Sequence, residues 1–213
     1  MIGPLVAFVH ATPASIEPAD AALRAEFPEA DSWHLLDDRL IREADEAGGL
    51  TRALRLRMLS LIRHAVDGGA EAVQLSCSMY GPVAALARQL WPVPVRGSDD
   101  AAFAEVARRG CGRVVLLAPL ESALADSARR LAEVATGTEI VAERAQPGSV
   151  DSLAQAAKPH LQAADLVLLG QYSLSPHARE LAATLNAEVL STPSPGLREL
   201  RAHLLGDSAG AGS

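Results

Sequence analysis

The chain has 213 residues, 49% hydrophobic but only 3% aromatic, so it can bury a sizeable core that must be made mostly of Leu, Val and Ala. A formal charge of -7 without any basic cluster argues against nucleic acid or an anionic membrane surface as a partner. Two cysteines, Cys77 and Cys111, are too few for a disulfide scaffold. No apolar run reaches the roughly 18 residues of a membrane span, and the N-terminus lacks the basic region of a signal peptide, so a soluble cytoplasmic protein is expected.

In chain order, an apolar run at 4–9 reads as a first buried strand, followed by the loop His10-Ala11-Thr12-Pro13. A helix is expected at 16–27 and a short strand at 32–36. After Asp37-Asp38-Arg39, the Ala47-Gly48-Gly49 break leads to Thr51, which has N-cap chemistry. Leu54, Met58, Leu61, Ile62 and Ala65 keep helical spacing over 52–66, with Arg52, Arg55, Arg57 and Arg63 on the remaining surface. A strand at 71–76, a helix at 82–90 and a strand at 93–96 close the first half. The second half continues with a helix at 99–109, a strand at 113–118, a helix to about 135 and a strand at 139–143. A turn at Gln146-Pro147-Gly148 follows, then a helix at 150–163, a strand at 165–170, a helix at 176–185 and a strand at 187–190. Residues 191–196 read as a loop before a last helix to about 205, and the tail 206–213 has nothing to bury and reads as disordered. Alternating strands and helices predict an α/β protein with mostly parallel sheets flanked by helices.

One stretch carries chemistry. The run 71–76 ends in Ser76-Cys77-Ser78, and Gly81-Pro82 then opens a helix. That pattern delivers one thiol to the carboxyl end of a sheet, where ligands collect in parallel α/β proteins. A thiol just ahead of a helix N-terminus has its thiolate favoured by the dipole, although free cysteine is commonly buried and inert. A second copy of the stretch lies 94 residues on. Pro82 falls on Pro176, Met79 on Ser173, Ser76 on Gly170, Cys77 on Gln171, Val95 on Val189 and Ser98 on Thr192. Two units at constant offset predict two pseudo-symmetric halves, residues 1–97 and 98–205, with a cleft between them. Cys77 would face it from one side and Gln171 from the other.

The segments His10-Ala11-Thr12-Pro13, Leu36-Asp37-Asp38-Arg39-Leu40 and Ser76-Cys77-Ser78 before Gly81-Pro82, together with the repeat, resemble the aspartate/glutamate/hydantoin racemase superfamily across residues 3–200. The resemblance implies two α/β halves, the last helix packing across them, no cofactor, and a cysteine from each half. Its members include amino-acid racemases, maleate isomerase and arylmalonate decarboxylase, and it suggests a homodimer. Fold alone does not fix activity. Where the racemases carry their second cysteine this chain has Gln171, and an amide is neither acid nor base near neutral pH. Cys111, between a helix end and a strand start, lies at the wrong end of its strand to substitute.

With one thiol, two reactions at the carbon α to a carboxylate of a small acid come first. Cys77 protonates the enediolate left by decarboxylation, or its thiolate adds reversibly to a double bond in cis–trans isomerisation. Racemisation of an amino acid or hydantoin and non-catalytic binding of a small carboxylate are the alternatives. Backbone N–H groups after Cys77 and Gln171, with Thr12, Ser76, Ser78 and Ser173, are the expected donors to the carboxylate, and Met79 lies beside them. Tyr172 either points into the cleft or packs. His10 is either a donor at the first strand's end or a satisfied core histidine. Glu121 and Ser122 open a helix, which they cap or from which they rim the cleft. Asp37-Asp38 and the arginines at 52–63 read more readily as solvated, and His177 as surface. No set of side chains has metal-ligand spacing, and no glycine-rich phosphate loop follows a strand.

Overall fold

A computed structural model describes residues 3–146 and 148–206. It contains two four-stranded parallel sheets of identical topology. In the first, β1 (Leu5–His10) lies between β2 (Asp31–Leu36) and β3 (Ala72–Leu75), and β4 (Val95–Arg96) pairs with β3. In the second, β5 (Arg113–Ala118) lies between β6 (Glu139–Arg144) and β7 (Leu166–Leu169), with β8 (Val189–Ser191) at the far edge. The central strands are buried along nearly their whole length, which is why they read as continuous apolar runs rather than alternating ones.

The internal repeat extends beyond its sequence signature. An offset of 94 carries Ala72–Leu75 onto Leu166–Leu169, and the pair Val73–Val95 onto Val167–Val189. An offset of 108 carries Leu5–His10 onto Arg113–Ala118 and Asp31–Leu36 onto Glu139–Arg144. The register changes between the second and third strands, where the first half carries an additional short helix, α2 (Leu40–Glu46).

The helices cover both faces of the sheets. α1 (Ile16–Glu26), α3 (Arg52–Asp67), α4 (Gly81–Leu90) and α5 (Asp100–Arg109) precede β5. α6 (Glu121–Val134), α7 (Val150–Ala157), α8 (Ala178–Leu185) and α9 (Pro193–Leu205) follow it. α3 begins as its sequence predicts: the Thr51 hydroxyl accepts from the Leu54 N–H at 3.3 Å, and Leu54, Met58, Ile62 and Ala65 form the buried stripe. α9 buries Leu197 and Leu200 in one cluster with Val6, Phe8 and Leu23 of the first half and with Tyr172. That cluster joins the two halves.

Three expectations change. The helix expected at 150–163 stays α-helical only to Ala157 and continues as a 3₁₀ helix over Lys158–Ala163, because Pro159 has no N–H to give the α ladder. The loop expected at 191–196 is already helix from Pro193, since prolines in a first turn forfeit only N–H groups that have no intrahelical partner. α2 was hidden by its brevity. The expected tail at 206–213 lies outside the described residues from 207 on, as does Pro147 of the expected turn. Among the described residues, no helix is long and apolar enough to cross a membrane.

Candidate active site

The carboxyl ends of β1, β3, β5, β6 and β7 face one another across a cavity of about 380 Å³, a volume suited to a small molecule. Cys77 and Gln171 both line it. Each follows its strand in extended conformation (φ -113°, ψ 120° and φ -140°, ψ 147°) and each precedes a 3₁₀ turn, so the pseudo-symmetry places a thiol and an amide in equivalent positions. Thr12, Ser76, Ser78, Met79, Tyr172 and Ser173 also line the cavity. Ile41, Pro119, Leu120 and Ala123 supply an apolar wall. Cys111 sits at the opposite end of β5, in a separate surface hollow.

The thiol is not the poised thiolate that the helix dipole alone would favour. Burial, followed by the charges of Asp99 and Asp45, drives Cys77 up to about 11, against the backbone N–H groups of Met79 and Tyr80, which favour the anion. Desolvation wins because the two amides belong to a single short turn, whereas the sulfur is taken out of bulk water. Cys77 therefore rests as a thiol, a group equipped to give a proton rather than to attack.

Asp99 is fully buried and held by Arg130 through two hydrogen bonds of 2.8 and 2.6 Å. Arg130 also donates to the Ser78 carbonyl at 3.1 Å, so a cation of α6 fixes the turn that follows Cys77. Gly81 allows this approach: a Cβ there would stand 3.0 Å from Arg130 Nη1.

His10 does not line the cavity. It is fully buried behind it, with Nδ1 2.7 Å from Ser15 Oγ and 2.9 Å from Ser76 Oγ, two residues that do line it. Its Nε2 lies 2.9 Å from His34 Nδ1, and His34 Nε2 lies 3.0 Å from Asp20 Oδ1. Burial first, then the neighbouring His34, lowers His10 to about 4, with Asp20 pulling weakly the other way. This sets a pH dependence. Unfolded, His10 titrates near 6.5, so between 6.5 and 4 the unfolded chain binds more protons and stability climbs with pH. The contribution is complete above the unfolded value and is lost as pH falls through the folded one, by up to about 3 kcal/mol. Urea midpoints at pH 7.5 and 4.5 should show this slope, and His10→Gln should flatten it. Equal slopes in the two proteins would show that His10 is not buried neutral.

The remaining candidates are placed elsewhere. Glu121 is exposed in the first turn of α6, and neither it nor Ser122 caps the helix, whose N-cap is Leu120. Ser122 faces a neighbouring hollow and donates to Asp45 at 3.2 Å. Asp37 accepts from the Arg39 N–H at 3.2 Å and pairs with Arg57, which also binds Glu43, so that arginine is spent on structure. His177 ends a 3₁₀ turn away from the cavity. Tyr172 is buried in the cluster joining the halves and borders the cavity, its hydroxyl buried and without a partner among the described residues.

Ser15, Arg144 and Gln146 line the cavity without having been singled out. Arg144 ends β6, donates Nε–H to the Pro119 carbonyl at 3.1 Å and forms no ion pair among the described residues. The signal for it was the offset of 108, which makes Arg144 the equivalent of Leu36 at a strand's carboxyl end. No group of three or more His, Cys, Asp or Glu among the described residues is arranged to hold a metal ion.

Comparison of the sequence with protein-family models and with curated proteins gives no match. Solved structures do match. Allantoin racemase from Klebsiella pneumoniae superposes with a TM-score of 0.75 at 15% identity, over 95% of this chain and 88% of that one. A glutamate racemase from Bacillus anthracis gives 0.71 at 12% identity, over 96% and 83%. Arylmalonate decarboxylase gives 0.66 at 18% identity, over 97% and 94%. At these identities the likeness establishes the fold alone, one shared with racemases and with arylmalonate decarboxylase.

Proposed function

We propose that this chain, built on the fold shared by racemases and arylmalonate decarboxylase, is a cofactor-independent enzyme acting at the carbon α to a carboxylate of a small acid, with Cys77 as its proton donor. The reading rests on one observation: a thiol and an amide, not two thiols, line one cavity at two equivalent strand ends.

The chemistry follows from that asymmetry. The apolar wall strips water from a substrate carboxylate, which favours breaking the bond between the α carbon and that group. The bonding pair stays on carbon as an enediolate and carbon dioxide departs. The Ser78, Thr12 and Ser173 hydroxyls and the N–H groups of the turn after Cys77 are the donors available to the charge that develops, and losing one such donor typically costs about 3 kcal/mol in the barrier. Cys77 then gives its hydrogen to carbon. Arg144 at the rim is the cation for a second carboxylate of a malonate-like acid, as guanidinium groups bind carboxylates in two-point fashion. Thiolate addition to a double bond, the cis–trans isomerase alternative, is less well served, because burial holds the sulfur protonated.

Incubation with a panel of malonates, maleate and amino acids in deuterated water separates the reactions. The expected result is loss of carbon dioxide from a 2,2-disubstituted malonate such as 2-ethyl-2-methylmalonate, with one deuterium placed on one face of the product. Conversion of maleate alone would overturn the decarboxylase reading in favour of the isomerase.

A further inference from the structure

Three polar side chains of the first half take no part in the chemistry just described, yet they run in an unbroken line from its cavity to the surface. His10 is completely buried, His34 is about one-fifth exposed and Asp20 nearly one-third. The links are Ser76 to His10 at 2.9 Å, His10 to His34 at 2.9 Å and His34 to Asp20 at 3.0 Å. The two imidazoles stack, with ring centroids 5.1 Å apart, and Phe8 lies against His34 at 5.4 Å, so the line is rigid and walled by apolar surface. Burying so many polar groups costs free energy unless every one of them is paired.

The hydrogens in this line have a direction. Hydrogen bonds from Ser32 and His34 overcome partial burial and keep the Asp20 carboxyl below its ordinary range, so it accepts only. His34 must then carry its hydrogen on Nε2, leaving Nδ1 to accept from His10 Nε2–H. His10 Nδ1 is left to accept from a hydroxyl. Ser15 has the Thr12 carbonyl as an acceptor at 2.9 Å, whereas the nearest carbonyl to Ser76, that of Val9, is 3.5 Å away. Ser76 Oγ lies 2.9 Å from both His10 Nδ1 and Ser15 Oγ, and the imidazole nitrogen is the stronger acceptor of the two, so Ser76 is the donor to His10. Every hydrogen in the line points from Ser76 toward Asp20, and Ser76 itself borders the cavity.

We infer that Ser76, wired through His10 and His34 to Asp20, is the proton acceptor of this site. The inference builds on the reading of the cavity as a place of proton chemistry at an α carbon, and gives it a base beside the Cys77 acid. In the step, an acidic substrate hydrogen moves to Ser76 Oγ and its bonding pair stays on the substrate. The former Ser76 hydrogen passes to His10 Nδ1, the His10 Nε2 hydrogen to His34 Nδ1, and the His34 Nε2 hydrogen to Asp20, which releases it to water. No group in the line is left with an added charge except transiently. Ser76 would touch the substrate; His10, His34 and Asp20 act through it. A base of this kind typically contributes 10²- to 10⁴-fold to rate.

The test compares two reactions in the intact protein in deuterated water. Decarboxylation of 2-ethyl-2-methylmalonate, which has no α-hydrogen, needs only an acid; α-hydrogen exchange into 2-methylbutanoate needs a base. Asp20→Asn keeps an acceptor for His34 but cannot take its proton. It should slow exchange about a hundredfold more than it slows decarboxylation, in kcat rather than KM, and Asp20→Glu should restore the ratio. A fold defect would lower both reactions together. Long-range ¹H–¹⁵N spectra of the ligand-free protein should show His10 and His34 both as Nε2–H tautomers. An unchanged ratio in Asp20→Asn, no exchange by the wild type, or an Nδ1–H tautomer at His10 each overturns the relay. Exchange without decarboxylation would leave the relay standing and overturn the decarboxylase reading instead.

Discussion

Cys77→Ala should abolish turnover of the 2,2-disubstituted malonate, by at least a hundredfold in kcat, while the urea unfolding midpoint hardly moves. The size follows from removing a general acid, worth typically 10²- to 10⁴-fold. The small stability effect follows because the sulfur lies at the wall of an existing cavity, so its loss enlarges that cavity and opens no new void in the core. Retained turnover in the variant would sink the enzyme reading and leave a carboxylate-binding cleft. The same thiol should react sluggishly with iodoacetamide at pH 7: a pKa of about 11 in place of 9 leaves roughly a hundredfold less thiolate than an ordinary cysteine has. The asymmetry has a stereochemical consequence as well. Residues 77 and 171 share conformation and position across the pseudo-twofold. Cys77→Ser combined with Gln171→Cys should therefore deliver the proton from the other side and give the opposite enantiomer of 2-methylbutanoate, read by chiral chromatography. The same enantiomer from both proteins would show that the proton does not come from these positions.

The part of this arrangement that sequence revealed, and the part it hid, divide along physical lines. Strand ends are local features. Ser76-Cys77-Ser78 announced itself because an apolar run stops there and Gly81-Pro82 starts a helix, and the same grammar 94 residues on exposed Gln171. From those two stretches followed the doubled sheet and seven of the side chains that line the cavity. What stayed hidden depends on contacts between distant segments. His34 sits in a short half-exposed strand and Asp20 in an ordinary amphipathic helix, and only the parallel pairing of β1 with β2, which sets Phe8 beside His34, brings them to His10. Arg144 was masked by the change of register around α2. The protonation of Cys77 was misjudged because the helix dipole is legible in sequence, whereas desolvation and the charge of Asp99 are properties of the folded interior. Ser122 was drawn toward the cavity by pseudo-symmetry with the loop after β1, but the halves differ there, and it turns to Asp45 instead.

Arg130→Met should destabilise the protein by about 3–5 kcal/mol, because it strands a buried carboxylate. Asp99 is completely inaccessible and Arg130 is almost so, with 12% of its side chain exposed. Burial pushes the Asp99 carboxyl up against the pull of Arg130, and Arg130, although burial opposes its charge, is held above the ordinary arginine range by the hydrogen bonds and charge of Asp99. Further contacts depend on the same guanidinium: Asp126 at 2.8 Å, the Ser78 carbonyl at 3.1 Å and the ring of Phe103 at 5.3 Å. Replacing both partners by apolar groups differs from replacing one, since paired burial of charge is often no better than well-packed hydrophobic contact. Arg130→Met with Asp99→Leu should thus recover most of the stability lost by Arg130→Met alone, with a coupling that a double-mutant cycle in urea resolves. Catalysis should respond differently. The double variant no longer holds the Ser78 carbonyl, so the turn that carries the N–H groups of Met79 and Tyr80 loses its anchor to α6. A stable double variant with reduced kcat would separate the two duties of this ion pair, closing the interior and fixing the turn beside the thiol. A cost below about 1 kcal/mol for Arg130→Met, the range of an exposed pair, would mean that the carboxylate finds water in solution.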